Sequence, residues 1–67
     1  MAGELSDLEV TVLRAIKAGR SVGDIAKGAG VPAATLGKTI ATLQIKGLLN
    51  DDGTVSEKGN EVLSASH

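Results

Sequence analysis

The chain has 67 residues, no cysteine, no aromatic residue and a formal net charge of −1. This length supports one small domain, and without disulfides its stability must come from aliphatic packing. No apolar run is long enough to span a bilayer, and the acidic amino-terminal segment lacks the basic start of a signal peptide, so a membrane partner is excluded and we expect a cytoplasmic protein.

Basic and acidic residues are separated along the chain. Between Arg14 and Lys46, six basic residues accompany a single acidic one, Asp24, which gives this segment a charge of +5. The residues before it and those after it carry −3 each. We therefore expect a charge dipole whose basic side attracts an anionic partner.

A first helix is predicted from about Asp7 to Ala18. Ser6 and Glu9 have the spacing of a capping box, in which each side chain accepts a hydrogen bond from the other residue's backbone amide. Apolar residues then recur at helical spacing, at Leu8, Val12, Leu13 and Ile16. Gly19 provides the left-handed residue that commonly ends a helix.

Two further helices are predicted in the basic segment. Ser21 and Asp24 repeat the capping signal for a short second helix through Lys27, which the glycines of "GAG" then end. Pro32 is tolerated in a first helical turn, so a third and longest helix is predicted over roughly residues 33–46. Its apolar face comprises Leu36, Ile40 and Leu43.

The pattern changes after Gly47. The stretch "LLNDDGTV" places two apolar residues before Asp52-Gly53, a strong tight-turn signal, and so predicts a small β-hairpin at about residues 48–55. Ser56 then caps a last short helix through Leu63. The final "SASH", which contains the only histidine, His67, is expected to fray.

Two glycine motifs imitate nucleotide-binding loops. Gly28-x-Gly30-x-x-Ala33 has the dinucleotide spacing, but it follows a capped helix rather than a buried strand, and no acidic residue is placed for the ribose. Gly37-Lys38-Thr39 imitates the end of a phosphate loop, yet Pro32 stands where that loop needs a glycine. We therefore expect no nucleotide cofactor.

Catalysis and metal binding are equally poorly supported. One histidine and no cysteine leave no pair of nucleophile and base and no transition-metal cluster. Asp51 and Asp52 are adjacent in the predicted turn, where carboxylates are mostly solvated. The lack of aromatic residues also removes the stacking platforms that single-strand binders use. We expect neither an enzyme nor a bound cofactor or metal.

The basic segment has the residue spacing of a helix-turn-helix. A small residue at Ala26 lets two helices approach each other, and Gly30 can adopt the positive φ that a tight turn often requires. Val31, Leu36 and Ile40 then fill the angle between the helices. This unit spans about residues 21–46.

These features are carried by "SVGDIAKGAGVPAATLGKTIATLQIKGLL" and by the tail "GTVSEKGNEVL". They resemble the winged helix-turn-helix superfamily, most of all the DNA-binding domains of MarR-type prokaryotic and archaeal transcription regulators. The resemblance implies a mainly α fold with a small β-hairpin (α+β), in which one compact domain over residues 1–67 has a three-helix core, a wing at about 48–55 and a short carboxy-terminal helix. The same scaffold also serves RNA and protein partners.

In that family the third helix enters the major groove of DNA. By position, the side of the helix that would face DNA here comprises Ala33, Ala34, Thr35, Gly37, Lys38, Ala41 and Thr42. Phosphate contacts would come from Arg20, Lys27, Lys38 and Lys46. A face with so few paired hydrogen-bonding groups implies low sequence specificity.

The tip of the predicted wing departs from the family. It reads Asn50-Asp51-Asp52-Gly53, where such regulators usually carry Arg or Lys, and DNA would repel its carboxylates. The chain also lacks the long terminal helices through which MarR-type proteins pair, so both a monomer and a homodimer stay open. We expect a transcription regulator that binds double-stranded DNA; the alternative is a protein–protein interaction module within a larger complex.

Overall fold

The computed structural model describes residues 5–65, which form four α-helices. These are α1 (Asp7–Lys17), α2 (Val22–Ala29), α3 (Ala33–Ile45) and α4 (Glu57–Ala65). Helix α1 packs against the other three, and α2 also packs against α3. The predicted frayed end is helical at Ser64 and Ala65, whereas Ser66 and His67 lie outside the described residues. None of the helices within residues 5–65 is both long and apolar enough to cross a bilayer.

The ends of α1 are set by the local signals that the sequence contains. Ser6 Oγ accepts the amide of Glu9 at 3.1 Å, and the Glu9 carboxylate accepts the amide of Ser6 at 2.8 Å. These two bonds confirm the capping box. The helix ends at Lys17 with Ala18 as its cap, and Gly19 follows at φ 84°, as predicted.

Helix α2 begins as predicted and ends later than predicted. Ser21 Oγ accepts the amide of Asp24 at 3.2 Å. Gly28 and Ala29 are helical, and only Gly30 adopts a left-handed conformation, with φ 69°. Glycine in a helix interior is tolerated at a modest cost, so the first glycine of "GAG" does not end the helix.

A short turn joins α2 to α3. The amide of Val31 donates to the carbonyl of Ala26 at 3.2 Å, which satisfies one of the free carbonyls at the end of α2. Pro32 is extended and stands at the N-cap of α3, where its missing amide donor costs nothing. The helix then runs to Ile45, with Lys46 as its cap.

Seven aliphatic side chains, each at most 3% exposed, form the core between the helices. They are Val12, Leu13, Ile25, Leu36, Leu43, Leu48 and Leu49. Leu8, Ile16 and Ile40 pack against this cluster and are only partly buried. Full burial of one such side chain stabilises the fold by roughly 1.5–3 kcal/mol, so α3 is held to the core mainly by Leu36 and Leu43.

The predicted β-hairpin wing is wrong. No residue in the range 5–65 belongs to a strand or a sheet; the segment after α3 contains one antiparallel bridge pair, Leu49 with Val55, around a tight turn. The fold is therefore all-helical with four helices, and it is neither an α+β fold nor a winged helix.

The bridge does not extend into a ladder because α3 ends just before it and α4 begins just after it. Gly47, at φ 79°, ends α3, and the next residue, Leu48, is buried in the core. On the other side, the bond from the Ser56 amide to the Leu48 carbonyl, at 3.0 Å, is the last one of the bridge, because the Ser56 hydroxyl accepts the amide of Gly59 at 3.0 Å and α4 begins at the next residue. Ser56 thus caps α4 as predicted, and no residue is left for a longer strand.

Helix α4 approaches the segment after α3 at a glycine. Gly59 is buried in the first turn of α4. A Cβ at this position would overlap the Leu48 carbonyl oxygen and lie 2.8 Å from Val55 Cγ1. The absent side chain is what allows the two backbones to pack this closely.

Candidate nucleic-acid interface

The outward face of α3 is exposed along the whole helix. The seven α3 residues predicted to face DNA are all exposed, and the structure brings them together on this one surface. They are Ala33, Ala34, Thr35, Gly37, Lys38, Ala41 and Thr42. Leu36 and Leu43 hold the opposite face of α3 against the core, so this outward face is fixed in orientation.

The helical repeat of about 100° per residue divides this face lengthwise. One half is apolar, with the small residues Ala34, Gly37 and Ala41 followed by the large Ile45. The other half is polar, with Thr35, Lys38 and Thr42. No carboxylate lies between Asp24 and Asp51 in the sequence, so α3 itself carries no negative side chain.

Backbone bonds restrict what the threonines can offer a ligand. Thr42 Oγ1 donates to the Lys38 carbonyl at 2.9 Å, and Thr39 Oγ1 donates to the Thr35 carbonyl at 3.1 Å. The proton of Thr42 is therefore used within the helix, and its hydroxyl presents an acceptor and a methyl group to the outside. The first turn of α3 has no side-chain cap and no acidic residue.

Two further predicted phosphate ligands lie on other elements. Lys27 is exposed in the last turn of α2, close in sequence to the turn that leads into α3. Arg20 is exposed in the connection between α1 and α2 and borders, with Asp24, an open groove of about 300 Å³. The other residues lining the groove are Thr11, Ala15, Ile25, Gly28 and Ala29. None of the groove residues belongs to α3, and Arg20 shares the groove with the carboxylate of Asp24.

Lys46 is engaged within the molecule. Its Nζ lies 2.9 Å from Oε2 of Glu9, whose side chain is only 12% exposed. The hydrogen bond from the Ser6 backbone, followed by the one from Lys46, lowers the pKa of Glu9, so this carboxylate is charged at neutral pH. The structure therefore ties Lys46 to the start of α1 and sets it apart from the three other predicted phosphate ligands.

An acidic turn lies beside the carboxyl end of α3. Gln44 Nε2 donates to the Asn50 carbonyl at 3.2 Å, which holds the turn near the last residues of the helix. Asp52 accepts the hydroxyl of Thr54 at 2.6 Å and its amide at 3.0 Å, and these bonds lower the pKa of Asp52. Asp51 and Asp52 give the turn two negative charges, and Lys58 Nζ, which donates to the Lys46 carbonyl at 3.4 Å, offsets one of them.

Sequence reasoning missed the side chain that is most unusual on this face. Ile45 is 86% exposed at the end of α3, although isoleucine is among the residues most often buried. The signal was present, because Ile45 is nine positions after the core residue Leu36 and thus half a turn away from the buried face. Ile45 continues the apolar strip of Ala34, Gly37 and Ala41, and a contiguous apolar surface is a feature of protein contacts as well as of DNA contacts.

Among residues 5–65, no group of three or more acidic, histidine or cysteine side chains is arranged to hold a metal ion. Comparison of the chain with protein-family models, with curated proteins and with solved structures gave no match.

Proposed function

We propose that the protein binds double-stranded DNA through α2, the following turn and α3, with α3 in the major groove, and that it acts as a transcription regulator. The observation that carries the proposal is the outward face of α3, which is exposed from end to end, is free of carboxylates and has Lys38 near its middle. Such a role would place the protein in the cytoplasm.

Affinity for the phosphate backbone would rest on Lys27 and Lys38, the two exposed lysines of the two helices. The uncapped amides in the first turn of α3 add partial positive charge where a phosphate could approach. Arg20 would contribute long-range attraction only, and Lys46 is omitted because Glu9 compensates its charge.

Sequence specificity would be low. The strongest base contacts are bidentate ones from Arg, Asn or Gln, and the outward face of α3 has none of these. Gln44 is partly buried and bonded to the Asn50 carbonyl. Methyl groups of Ala34, Ala41 and Thr42 could contact thymine, which gives at most a weak A·T preference.

The test is a charge reversal on the proposed face. Lys27→Glu combined with Lys38→Glu is expected to abolish binding to a short random-sequence duplex at low salt, because both phosphate contacts become repulsive. Affinity measured by fluorescence anisotropy over a range of salt concentrations for Lys27→Ala with Lys38→Ala should give a logarithmic slope that is lower by about 2 than in the wild type.

The matched control compares single charge reversals. Lys17→Glu on α1 makes the same change of net charge as Lys38→Glu on α3. The Lys17→Glu variant should retain most of the affinity, and circular dichroism checks that all variants are folded. Equal losses in the two charge-reversed proteins would show that only net charge matters and would refute binding through α3.

The second candidate function is a protein–protein interaction module within a larger complex. Ile45, which is 86% exposed, and the acidic turn beside it favour this candidate. Affinity capture that yields no specific partner, together with clear binding of DNA, would rule it out.

A further inference from the structure

We propose that the outward face of α3 also pairs with a second copy of this chain, so that two α3 helices pack antiparallel around a twofold axis at Ala41. The inference rests on the shape and charge of α3 and is independent of the proposed DNA binding.

The shape of the face is self-complementary about Ala41. Gly37 lies four residues before it and Ile45 four residues after it, so the two are about 6 Å from Ala41 in opposite directions along the helix. In an antiparallel pair with its axis at Ala41, Ile45 of each copy therefore lies opposite Gly37 of the other. A twofold interface repeats each such contact, which is how isologous dimers are built.

Ile45 projects from the surface of α3, and Gly37 leaves a recess in it. Ile45 is 86% exposed and has no core contact that would account for its side chain. Gly37 lies inside a helix with an ordinary φ, and an added Cβ would meet no atom within 4 Å. No neighbouring group thus requires a glycine there, although glycine disfavours a helix. Large side chains opposite small ones are what closely packed helices use.

Charge complementarity supports the antiparallel direction. The amino-terminal end of α3 is the positive end of the helix dipole, and its first turn has no acidic residue and no side-chain cap. The carboxyl end is the negative end of the dipole and is followed by Asp51 and Asp52. Two lysines also lie there, since Lys46 pairs with Glu9 and Lys58 Nζ donates to the Lys46 carbonyl at 3.4 Å, but with three carboxylates against two lysines this end stays negative. An antiparallel pair places each end beside the opposite end of its partner twice, whereas a parallel pair would bring the two acidic turns together.

Self-pairing would cover the surface that the proposed function assigns to DNA. A second copy and a duplex would therefore compete for α3; this consequence alone rests on the proposed DNA binding. Dimer formation is measured without DNA. A protein that does not dimerise would therefore leave the DNA proposal unaffected, and a protein that does not bind DNA would leave the dimer proposal unaffected.

The test is the monomer–dimer equilibrium of the full chain, followed by sedimentation equilibrium from micromolar to millimolar concentration. We expect a reversible dimer, which Ile45→Ser weakens by about a hundredfold because each dimer loses two buried isoleucines. Val22→Ser is the matched control, since Val22, at 51%, is the other large exposed hydrophobic residue among residues 5–65 and lies on α2. This control should leave the dissociation constant unchanged.

The position of the axis is tested by oxidative cross-linking, which is clean because the chain has no cysteine of its own. Ala41→Cys should form a disulfide with its symmetry mate much faster than Ala18→Cys, which is exposed at the end of α1. A wild type that stays monomeric at all concentrations would overturn the proposal. So would equal effects of Ile45→Ser and Val22→Ser, or equal cross-linking rates at the two positions.

Discussion

Two helical glycines show how differently a missing side chain can act. Gly59 is buried, and its absent Cβ makes room for the Leu48 carbonyl oxygen and for Val55 Cγ1. Gly37 has open space on the outside of α3. Neither has a positive φ, so backbone strain does not distinguish them. The difference lies in packing, and it predicts opposite effects of one substitution.

Gly59→Ala is expected to destabilise the fold by about 2 kcal/mol, because a rigid carbonyl cannot move away from the added methyl group as a flexible side chain could. Gly37→Ala serves as the matched control and should stabilise the monomer by about 0.5–1 kcal/mol through helix propensity alone. Urea unfolding, monitored by far-ultraviolet circular dichroism at low protein concentration, measures both. A stabilising Gly59→Ala would show that α4 does not pack this closely.

Among the helices, the contact between Glu9 and Lys46 fastens the end of α3 to the beginning of α1. Glu9 completes the capping box with Ser6 and also accepts Lys46 at 2.9 Å. Both interactions favour the ionised carboxylate, which is why the pKa of Glu9 lies below its ordinary value of 4.5. A carboxyl group with a lowered pKa in the folded state stabilises the fold above its unfolded pKa, and this stabilisation disappears as the pH falls through the folded value.

Glu9→Gln is therefore expected to lower the free energy of unfolding by about 1 kcal/mol at neutral pH, a modest value because Lys46 remains partly solvated. Glutamine can still complete a capping box, so the substitution removes mainly the charge interaction. The difference from the wild type should shrink as the pH falls from 4.5 through the lowered pKa of Glu9. Urea unfolding at a series of pH values measures this convergence.

Glu61→Gln controls for the loss of one carboxylate, because Glu61 is exposed on α4. A difference between Glu9→Gln and the wild type that stays constant across the acidic range would contradict the proposed coupling between Glu9 and Lys46.

For the molecule as a whole, the sequence predicted the four helices because their ends depend on neighbouring residues. The Ser6–Glu9 capping box and the left-handed Gly30 are signals of this kind, and the structure contains both. The hairpin was predicted wrongly because strands need partners beyond the turn itself. Here Leu48 is buried in the core and Ser56 starts α4, so a single bridge pair remains.

In the candidate site, too, features set by neighbouring residues were predictable and features set by distant residues were not. The exposure of α3 residues such as Lys38 follows from the helical repeat and was predictable. The pairing of Lys46 with Glu9 joins residues 37 positions apart and leaves no local signal. Whether a basic residue is available to a ligand therefore depends on the ion pairs that it forms in the folded protein, and these are not visible in the sequence.

The distribution of charge over the whole molecule leads to a last prediction. The acidic turn lies beside the carboxyl end of α3, so a duplex that contacts this helix should be repelled by Asp51. Asp51→Lys is expected to raise affinity for a random duplex at low salt by roughly fivefold and to steepen the salt dependence by about 1. Glu61→Lys makes the same change of net charge on α4, which packs against α1, and should give a smaller gain. Anisotropy titrations below the concentration at which the protein self-associates would compare the two. Equal gains would mean that the turn lies away from the duplex, and DNA could then not approach α3 from its carboxyl end.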